Sequence, residues 1–156
     1  MGYLYYILAL FLLLLPRQEV RAQEIPNLLI FAPEDYNAET QNWKIDRDGK
    51  GNIYVANNSG LLEYNGVTWS LYEIPNSTIV RSVKVVDNRI YTGFYMGFGY
   101  WTRSDTGKLL FTDLSEKAHD FILPDEEFWN IHAYGQSVIF QSLDQILVYN
   151  QVTDEI

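Results

Sequence analysis

The sequence predicts an all-β fold, and two observations lead to that prediction. Short β-rich runs such as Ile53–Val55 alternate with turn-forming stretches such as Asn58–Gly60 along most of the chain. These runs also recur at regular intervals, which is typical of a protein built from repeated sheets. The length of 156 residues suits one domain, and an aromatic content of 15% is too high for a disordered acidic segment.

The N-terminal segment has a different character. Tyr3–Leu15 is an unbroken apolar run, shorter than the roughly 20 residues that a helix needs to cross a bilayer. Val20 and Ala22 supply the small residues of a signal-peptidase site. We therefore expect residues 1–22 to be a signal peptide that is cleaved before Gln23, and the protein to be exported. An uncleaved membrane anchor is the alternative.

Residues 23–41 are expected to form an N-terminal segment ahead of the first repeat. Within this segment, Leu28–Phe31 is an apolar run that lies between Pro26 and Pro33. An open sheet edge leaves backbone groups unpaired. We therefore expect Leu28–Phe31 to be a closure strand, which pairs with the last repeat of a longer protein.

Asp46–Gly51, with the sequence DRDGKG, opens the first clear strand-turn-strand unit. Its spacing is that of the beginning of an EF-hand calcium loop, but Lys50 and Asn57 stand where oxygen ligands are needed. A P-loop is also excluded, because the Gly-Lys-Ser/Thr ending that binds phosphate is absent. We expect a tight turn between two strands, with no metal ion and no cofactor.

Two sets of aligned positions define the repeat. The aliphatic set is Ile53, Ile90 and Val138. The aromatic set is Tyr64, Trp101 and Tyr149. The distance along the chain from the first to the second residue is the same in both sets, and so is the distance from the second to the third. A further strand follows each of the first two units, at Trp69–Tyr72 and Leu109–Thr112.

Four short strands in roughly 40 to 50 residues are typical of a β-propeller blade. We predict an incomplete β-propeller of about two and a half four-stranded blades, near residues 42–76, 79–117 and 126–156. A β-sandwich is the alternative, although it does not predict equal intervals at two sets of positions.

The third unit ends before a fourth strand. A turn is expected at Gln151–Asp154, after the aromatic position Tyr149. A propeller needs about four to eight blades to close its ring. We therefore expect the sequence to be the front end of a longer protein.

Residues 46–66, DRDGKGNIYVANNSGLLEYNG, resemble the regulator-propeller repeat of bacterial sensor proteins. The shared pattern is an Asp, a Gly turn, a hydrophobic and aromatic strand, then Gly-Leu and Tyr-Asn-Gly. The segments QNWKI, LLEYNGVTW, GFYMGFGYW and EEFWNIHAYGQSVIFQSLDQILVYN are similar to the first blades of the same family. The resemblance thus runs from Ile25 to the end, although the second and third units lack the Asp-x-x-Gly turn.

In that family the exported propeller is a ligand-binding sensor. The resemblance implies a parent protein in which the propeller precedes a triple-tyrosine immunoglobulin-like domain, a membrane span and a cytoplasmic output, often a LuxR-type helix-turn-helix. It also implies a place on the periplasmic face of the inner membrane and a role in signal transduction and transcriptional regulation.

The composition argues against several other functions. A net charge of -9 argues against a nucleic-acid-binding surface, and the absence of cysteine excludes thiolate metal sites. His119 and His132 lack the spacing of metal ligands, and we expect His132 to be a core or edge histidine of a strand. Asp125–Glu127 could supply carboxylates for glycoside chemistry, but a solvated loop between blades is the plainer interpretation. We therefore expect no enzyme activity.

Three residues are candidates for ligand binding: Trp43, Arg81 and Trp129. They align with one another, each two residues before an apolar residue of a predicted innermost strand, so they would lie at the mouth of a propeller channel. Two indoles and a guanidinium can stack on sugar faces or pair with an anion. The alternative is that both tryptophans pack between blades.

Together these features predict a non-catalytic module that senses an unidentified small molecule or glycan. It would be the N-terminal part of a membrane-anchored transcriptional regulator or two-component-type sensor, with the downstream domains as partners and no nucleic acid bound. A fragment of an exported propeller enzyme that acts on glycans is one alternative. A propeller that mediates protein contacts is the other.

Overall fold

The computed structural model describes Tyr3 and residues 28–156. The chain divides into two compact units, Met1–Ile30 and Phe31–Ile156. The expected signal peptide, residues 1–22, lies outside the described residues except for Tyr3. In the described part of the chain, no helix has both the length and the apolar character needed to cross a membrane.

Leu28–Phe31, the expected closure strand, lies in neither a helix nor a strand. Leu28, Leu29 and Ile30 are largely exposed. Pairing of this run with the last repeat of a longer protein stays a prediction.

The second unit is all-β and contains three antiparallel sheets of four, four and three strands. The first sheet has the strands β1 (Asn42–Arg47), β2 (Ile53–Asn57), β3 (Gly60–Tyr64) and β4 (Trp69–Tyr72). The second sheet has β5 (Val80–Val86), β6 (Arg89–Phe94), β7 (Gly97–Arg103) and β8 (Leu109–Asp113). The third sheet has β9 (Asn130–Tyr134), β10 (Ser137–Gln141) and β11 (Ile146–Asn150). A short helix α1 (Pro33–Tyr36) precedes β1, and a 3₁₀ helix (Ser115–Ala118) follows β8.

The three sheets share one register at the positions that define the sequence repeat. In each sheet, the aliphatic residue of the second strand lies opposite the aromatic residue of the third strand. The pairs are Ile53–Tyr64, Ile90–Trp101 and Val138–Tyr149. Residues that face each other across two strands pack together. Because the aliphatic and the aromatic residue of each sheet form such a pair, the two kinds of residue recur along the sequence at the same intervals. Each sheet falls inside one of the predicted repeat units.

The third sheet ends as the sequence predicts. Gln151–Asp154 is a turn, and Glu155 returns to form an isolated bridge with Asn150. The side-chain oxygen of Asn150 accepts hydrogen bonds from the backbone N–H groups of Val152 at 2.9 Å and Thr153 at 3.2 Å. This is the ordinary way in which an Asn side chain stabilises a turn.

The sheets meet through their first strands: β1 lies beside β5, and β5 lies beside β9. Asp46 of β1 accepts hydrogen bonds from Lys84 Nζ at 2.8 Å and from the backbone N–H of Val85 at 2.9 Å. Burial acts to raise the pKa of Asp46, but the hydrogen bonds from Lys84 and the backbone outweigh it, so the pKa lies below its usual value. At the second contact, Ser82 of β5 donates to the carbonyl oxygen of Phe128 at 2.7 Å.

Two apolar cores fill the spaces between the sheets. The core between the first and second sheets contains Tyr54, Ala56, Leu61, Ile74, Val80, Val83, Ile90, Phe94, Trp101 and Leu109. The core between the second and third sheets contains Tyr91, Phe98, Leu114, Ala118, Phe128, Ile131, Val138, Phe140 and Tyr149. Because side chains alternate along a strand, the neighbours Ile90 and Tyr91 enter different cores.

A glycine allows the second and third sheets to approach closely. Gly93 lies in β6, where an added Cβ atom would come within 2.7 Å of the carbonyl oxygen of Phe128. Contacts that short do not occur for real side chains, so a larger residue at this position would push the two sheets apart.

The outer face of the first sheet is covered by the chain that precedes β1. Tyr36 of α1 is buried there together with Val55 and Leu62. Phe31 packs edge-on against Trp69, with ring centroids 5.4 Å apart. This cover also forms one wall of the candidate site.

Candidate functional site

The three predicted site residues lie at equivalent places, at the start of the first strand of each sheet. Trp43 of β1 and Arg81 of β5 have no paired residue on the next strand, whereas the residues on either side of each do. Each therefore occupies a β-bulge. Trp129 directly precedes β9, and its backbone N–H donates to the carbonyl oxygen of Gln141 at 2.9 Å. Bulges bend a strand and re-aim its side chains, which lets these three side chains converge.

The structure brings the three side chains together in what we call the Trp–Arg–Trp cluster. The guanidinium carbon of Arg81 lies 4.5 Å from the ring centroid of Trp43 and 4.8 Å from that of Trp129. The two indoles are nearly perpendicular, with centroids 5.9 Å apart and an interplanar angle of 82°. Arg81 therefore makes cation–π contacts with both tryptophans.

Glu127 completes this cluster, and the sequence did not reveal it. Nε and Nη2 of Arg81 donate to the two carboxylate oxygens of Glu127 at 3.1 and 2.9 Å. The side chains are only 13% and 22% exposed. A planar guanidinium matches a carboxylate through two parallel hydrogen bonds, so the charge of Arg81 is already neutralised. An anionic ligand would have to displace Glu127.

Backbone pairing explains why Glu127 lies here. Tyr95 and Glu127 form an isolated antiparallel bridge, and the N–H of Met96 donates to the carbonyl oxygen of Glu126 at 2.7 Å. Glu126 is only 4% exposed, and its Oε1 has no hydrogen-bond partner among the described residues. The interpretation of Asp125–Glu127 as a solvated loop is therefore wrong for Glu126 and Glu127, because this segment pairs with the β6–β7 hairpin.

Asn58 holds the indole of Trp43 in place. The Nε1–H of Trp43 donates to Oδ1 of Asn58 at 2.8 Å. The amide nitrogen of Asn58 in turn donates to Gln41 at 3.0 Å and to Glu39 at 3.1 Å. The ring of Trp43 is thus fixed by a hydrogen bond at one edge and by Arg81 over its face.

A cleft of about 360 Å³ adjoins Trp43, and we call it the aromatic cleft. It is lined by Phe31, Tyr36, Asn42, Trp43, Lys44, Ile45, Val55 and Trp69. The Nε1 of Trp69 is buried and has no hydrogen-bond partner among the described residues. Clefts of this size, mostly apolar and with a few polar groups, are typical of sites for small molecules.

A polar network around a buried carboxylate joins the first and second sheets. Glu63 of β3 is only 5% exposed and forms an ion pair with Arg103 of β7. Arg103 also donates to the hydroxyl oxygen of Tyr54 at 3.1 Å, and Tyr72 donates to Glu63 at 3.1 Å. Burial and the nearby negative charge of Glu63 raise the pKa of Tyr54 to about 12. These contacts compensate a carboxylate that would otherwise be costly to bury.

An equivalent contact joins the second and third sheets. The hydroxyl of Tyr91 donates to Oε1 of Gln151 at 3.0 Å. Tyr91 occupies the repeat position of Tyr54, and Gln151 occupies that of Arg103. The same two positions therefore connect neighbouring sheets in both interfaces.

The turn after β1 uses the carboxylate that a calcium loop would need. Asp48 accepts backbone N–H groups of Lys50 and Asn52 at 2.9 Å each, the Asn52 side chain at 2.7 Å and the Tyr54 hydroxyl at 3.2 Å. Both oxygens of Asp48 are thus engaged by the turn and the strand that follows. Among residues 28–156, no three His, Cys, Asp or Glu side chains converge into a group that could hold a metal ion.

The two histidines are both exposed. His132 lies in β9, an edge strand of the third sheet, as the sequence predicts. His119 follows the 3₁₀ helix, and its Nδ1 lies 3.5 Å from Asp120.

No protein-family model matches the chain, and no curated protein matches it either.

Proposed function

We propose that the chain is a non-catalytic sensor module of β-propeller type, and that it binds a small sugar-like ligand in the aromatic cleft. The aromatic cleft is the observation that carries this proposal. It combines four aromatic side chains, Phe31, Tyr36, Trp43 and Trp69, around an open volume of about 360 Å³.

The chemistry of the aromatic cleft suits a ligand with an apolar face and a few hydroxyl groups. Aromatic rings pack well against the C–H face of a sugar, whose hydroxyl groups then meet polar side chains at the edge of the cleft. Asn42 and Lys44 add polar groups at the rim. Because Arg81 is neutralised by Glu127, the neighbouring cluster positions Trp43 rather than attracting an anion.

The propeller architecture is supported by the equivalent stacking of the sheets. Each sheet places its first strand beside the first strand of the next sheet. Tyr54 and Tyr91 occupy the same repeat position. Tyr54 is hydrogen-bonded to Arg103 in the next sheet, and Tyr91 to Gln151, directly after the last strand of the next sheet. Radial repetition of four-stranded sheets produces this arrangement, whereas a β-sandwich packs two sheets face to face.

The third sheet supports a longer ring in a parent protein. Its residues Ile139, Ile146 and Val148 occupy the repeat positions of Tyr91, Phe98 and Tyr100. Tyr91 and Phe98 are completely buried against the third sheet, whereas Ile146 is 67% and Val148 is 46% exposed. A further sheet would cover this apolar face in the same way as the third sheet covers the face of the second sheet that carries Tyr91 and Phe98.

The cellular setting belongs to the same proposal. The apolar run Tyr3–Leu15 supports export, and the resemblance of residues 46–66 to the regulator-propeller repeat supports a periplasmic sensor. In that setting the chain is the N-terminal part of a membrane-anchored transcriptional regulator. Its partners are then the ligand and the downstream domains that respond to it.

Calorimetric titration of the purified chain with neutral sugars tests the proposal. Glucose, mannose, galactose and their β-linked disaccharides are suitable probes. We expect saturable binding by at least one of them, and loss of that binding in Trp43→Ala. Tyr134→Ala is the matched control, because Tyr134 is an aromatic residue that is 81% exposed and does not line the cleft. Lack of binding by every sugar, or equal binding by Trp43→Ala, would contradict the proposal.

Protein contact is a second candidate function, and the exposed face of the third sheet favours it. His132, Tyr134, Ile139, Ile146 and Val148 share this face. Analytical ultracentrifugation would detect self-association through this face as a concentration-dependent rise in mass, which Val148→Lys should abolish. A chain that stays monomeric at all concentrations and captures no partner would leave this candidate without support.

A further inference from the structure

Exposed apolar side chains gather at one end of the second and third sheets. The β6–β7 and β10–β11 turns both lie at the end where the first strands of the sheets begin. Five apolar or aromatic side chains at this end are 38% to 82% exposed, and we call them the tip patch: Tyr95, Met96, Phe121, Leu123 and Leu143. The equivalent turn of the first sheet carries the polar residues Asn58 and Ser59 instead.

The members of the tip patch are held together by hydrogen bonds between distant segments. The side chain of Gln145, in the β10–β11 turn, donates to the carbonyl oxygen of Phe121 at 2.7 Å and accepts from the backbone N–H of Leu123 at 3.2 Å. The hydroxyl of Tyr95, in the β6–β7 turn, donates to Asp125 at 2.7 Å. Residues 121–125 are thus fixed to both turns. Fixed, exposed apolar groups of this kind mark a surface for another protein.

A cavity of about 340 Å³ adjoins the tip patch at Met96, and we call it the tip cavity. Its lining combines apolar with polar residues: Met96, Ile122 and Pro124 with Asp113, Ser115, Glu116 and His119. Lysine and arginine side chains have an apolar stem that packs on apolar groups and a charged end that stays among polar ones. The mixed lining of the tip cavity suits such a side chain.

The carboxylates in and around the tip cavity are not neutralised by the chain's own cations. In the described part of the chain, no lysine or arginine forms an ion pair with any of four carboxylates: Asp113, Glu116, Asp125 and Asp144. Lys117 is the only lysine or arginine between residues 113 and 144, and it is paired with Asp154. The tip patch is therefore an apolar surface among uncompensated negative charges.

We propose that the tip patch and the tip cavity dock a segment of another protein in which a lysine or arginine lies between apolar side chains. The basic side chain enters the tip cavity, where its stem contacts Met96 and its charge meets Glu116. The apolar neighbours of the basic residue cover Phe121 and Leu123. This surface shares no residue with the aromatic cleft or with the exposed face of the third sheet, and it does not depend on the proposed sugar-binding function.

Charge complementarity favours this partner over two others. A second copy of the chain would bring the same carboxylates to the contact, and like charges facing each other oppose binding. An anionic membrane surface would repel a chain whose net charge is -9. A basic and apolar segment meets both features of the surface at once.

Titration of the purified chain with defined peptides, followed by two-dimensional amide NMR, forms the first half of the test. The probe is the pentapeptide Gly-Leu-Arg-Phe-Gly, blocked at both ends. One matched peptide has glutamate in place of arginine, and another has alanine in place of leucine and phenylalanine. We expect saturable shifts of Met96, Glu116 and Leu123 with the probe, and an affinity lower by about tenfold or more for each matched peptide.

Variants form the second half of the test. Leu123→Ala should weaken binding of the probe about tenfold, because apolar contact area is lost. Glu116→Gln should weaken it about threefold, as expected for one exposed charge pair. Glu73→Gln and Leu110→Ala are the matched controls, since both residues are exposed and neither belongs to the tip patch or lines the tip cavity. All four changes are at exposed positions, so the variants should fold normally.

Four results would overturn the proposal. The probe could show no saturable binding at millimolar concentration, or the glutamate peptide could bind as well as the probe. Folded Leu123→Ala and Glu116→Gln chains could both keep the full affinity. Finally, the chain could form dimers in ultracentrifugation that Leu123→Ala abolishes, or bind phosphatidylglycerol vesicles through Leu123, which would assign the tip patch to a second copy or to a membrane.

Discussion

The two interfaces between neighbouring sheets use the same positions but different chemistry. Between the first and second sheets, Tyr54 meets Arg103, which is paired with the buried carboxylate of Glu63. Between the second and third sheets, Tyr91 meets the neutral side chain of Gln151. One interface thus contains an ion pair between a buried carboxylate and a partly exposed guanidinium. In the other, the hydroxyl of Tyr91 donates to an amide oxygen and lies 3.4 Å from Nη1 of Arg89.

Aromatic packing is the second difference. Phe98 stacks on Phe140 with ring centroids 4.2 Å apart and meets Phe128 edge-on at 4.8 Å. The residue at the same repeat position in the first sheet is Leu61, which is also completely buried. A tyrosine hydroxyl and a buried apolar residue thus recur at each interface, while their partners differ.

The largest effect is expected for Phe98→Ala. Removal of a fully buried ring that touches two other rings should lower the free energy of unfolding by about 4 kcal/mol. Leu61→Ala, the matched change in the other interface, should cost about 3 kcal/mol because fewer contacts are lost. Urea unfolding followed by circular dichroism measures both values. Costs no larger than that of Val67→Ala, a change at an exposed turn residue, would contradict the packing described here.

Arg103→Met tests the ion pair. It leaves the buried Glu63 without its partly exposed charged partner, although Tyr54 and Tyr72 still donate to it, so a loss of about 2 to 3 kcal/mol in the free energy of unfolding is expected. The double variant Glu63→Gln with Arg103→Met should recover part of this loss, since no uncompensated charge remains. If the double variant were less stable than Arg103→Met by the full cost of Glu63→Gln alone, the two residues would not be coupled.

Alkaline pH should weaken both interfaces. Burial, followed by the charge of Glu63, raises the pKa of Tyr54 to about 12, and burial with the hydrogen bond to Asp154 raises that of Tyr149 to about 12. A tyrosine in the unfolded chain loses its proton near pH 10. The stabilisation is therefore fully present below about pH 10 and is lost as the pH rises from about 10 to about 12, by about 2 to 3 kcal/mol for each tyrosine.

Urea unfolding at a series of alkaline pH values measures this dependence. Tyr54→Phe should remove its share of the decline, because phenylalanine has no proton to lose. A decline that is equally steep in Tyr54→Phe would assign the alkaline effect to other groups.

The smallest effect is expected for Gln151→Met. The change leaves the hydroxyl of Tyr91 without the amide acceptor that it now reaches at 3.0 Å. Loss of one neutral hydrogen bond should lower the free energy of unfolding by about 1 kcal/mol. The difference between the stability losses of Arg103→Met and Gln151→Met thus measures how much more the ion pair contributes to its interface than the neutral hydrogen bond contributes to the other. Equal losses at the two positions would remove the distinction between the interfaces.

Much of the fold could be predicted from the sequence because sheet pairing here is local along the chain. Each sheet pairs neighbouring strands through short turns, so Trp69–Tyr72 and the aligned residues Ile53 and Tyr64 were sufficient to locate strands. The convergence of Trp43 with Trp129 also follows the repeat, because both lie at the start of the first strand of a sheet.

Other parts of the site could not be predicted, because they depend on contacts between distant segments. Glu127 reaches Arg81 only because its segment pairs with Tyr95, and the run of acidic residues gives no sign of that partner. The aromatic cleft requires Phe31 and Tyr36 to fold over the first sheet, which no repeat pattern encodes.

Proton NMR can show whether the first strands of the three sheets converge. The indole rings of Trp43 and Trp129 belong to different sheets and have centroids 5.9 Å apart. We expect nuclear Overhauser effects between these two indoles, and from both of them to the side chain of Arg81. If Trp43 and Trp129 showed no mutual effect while the pair Ile53 and Tyr64 within one sheet did, the sheets would be formed but not stacked in this way, and the account would be contradicted.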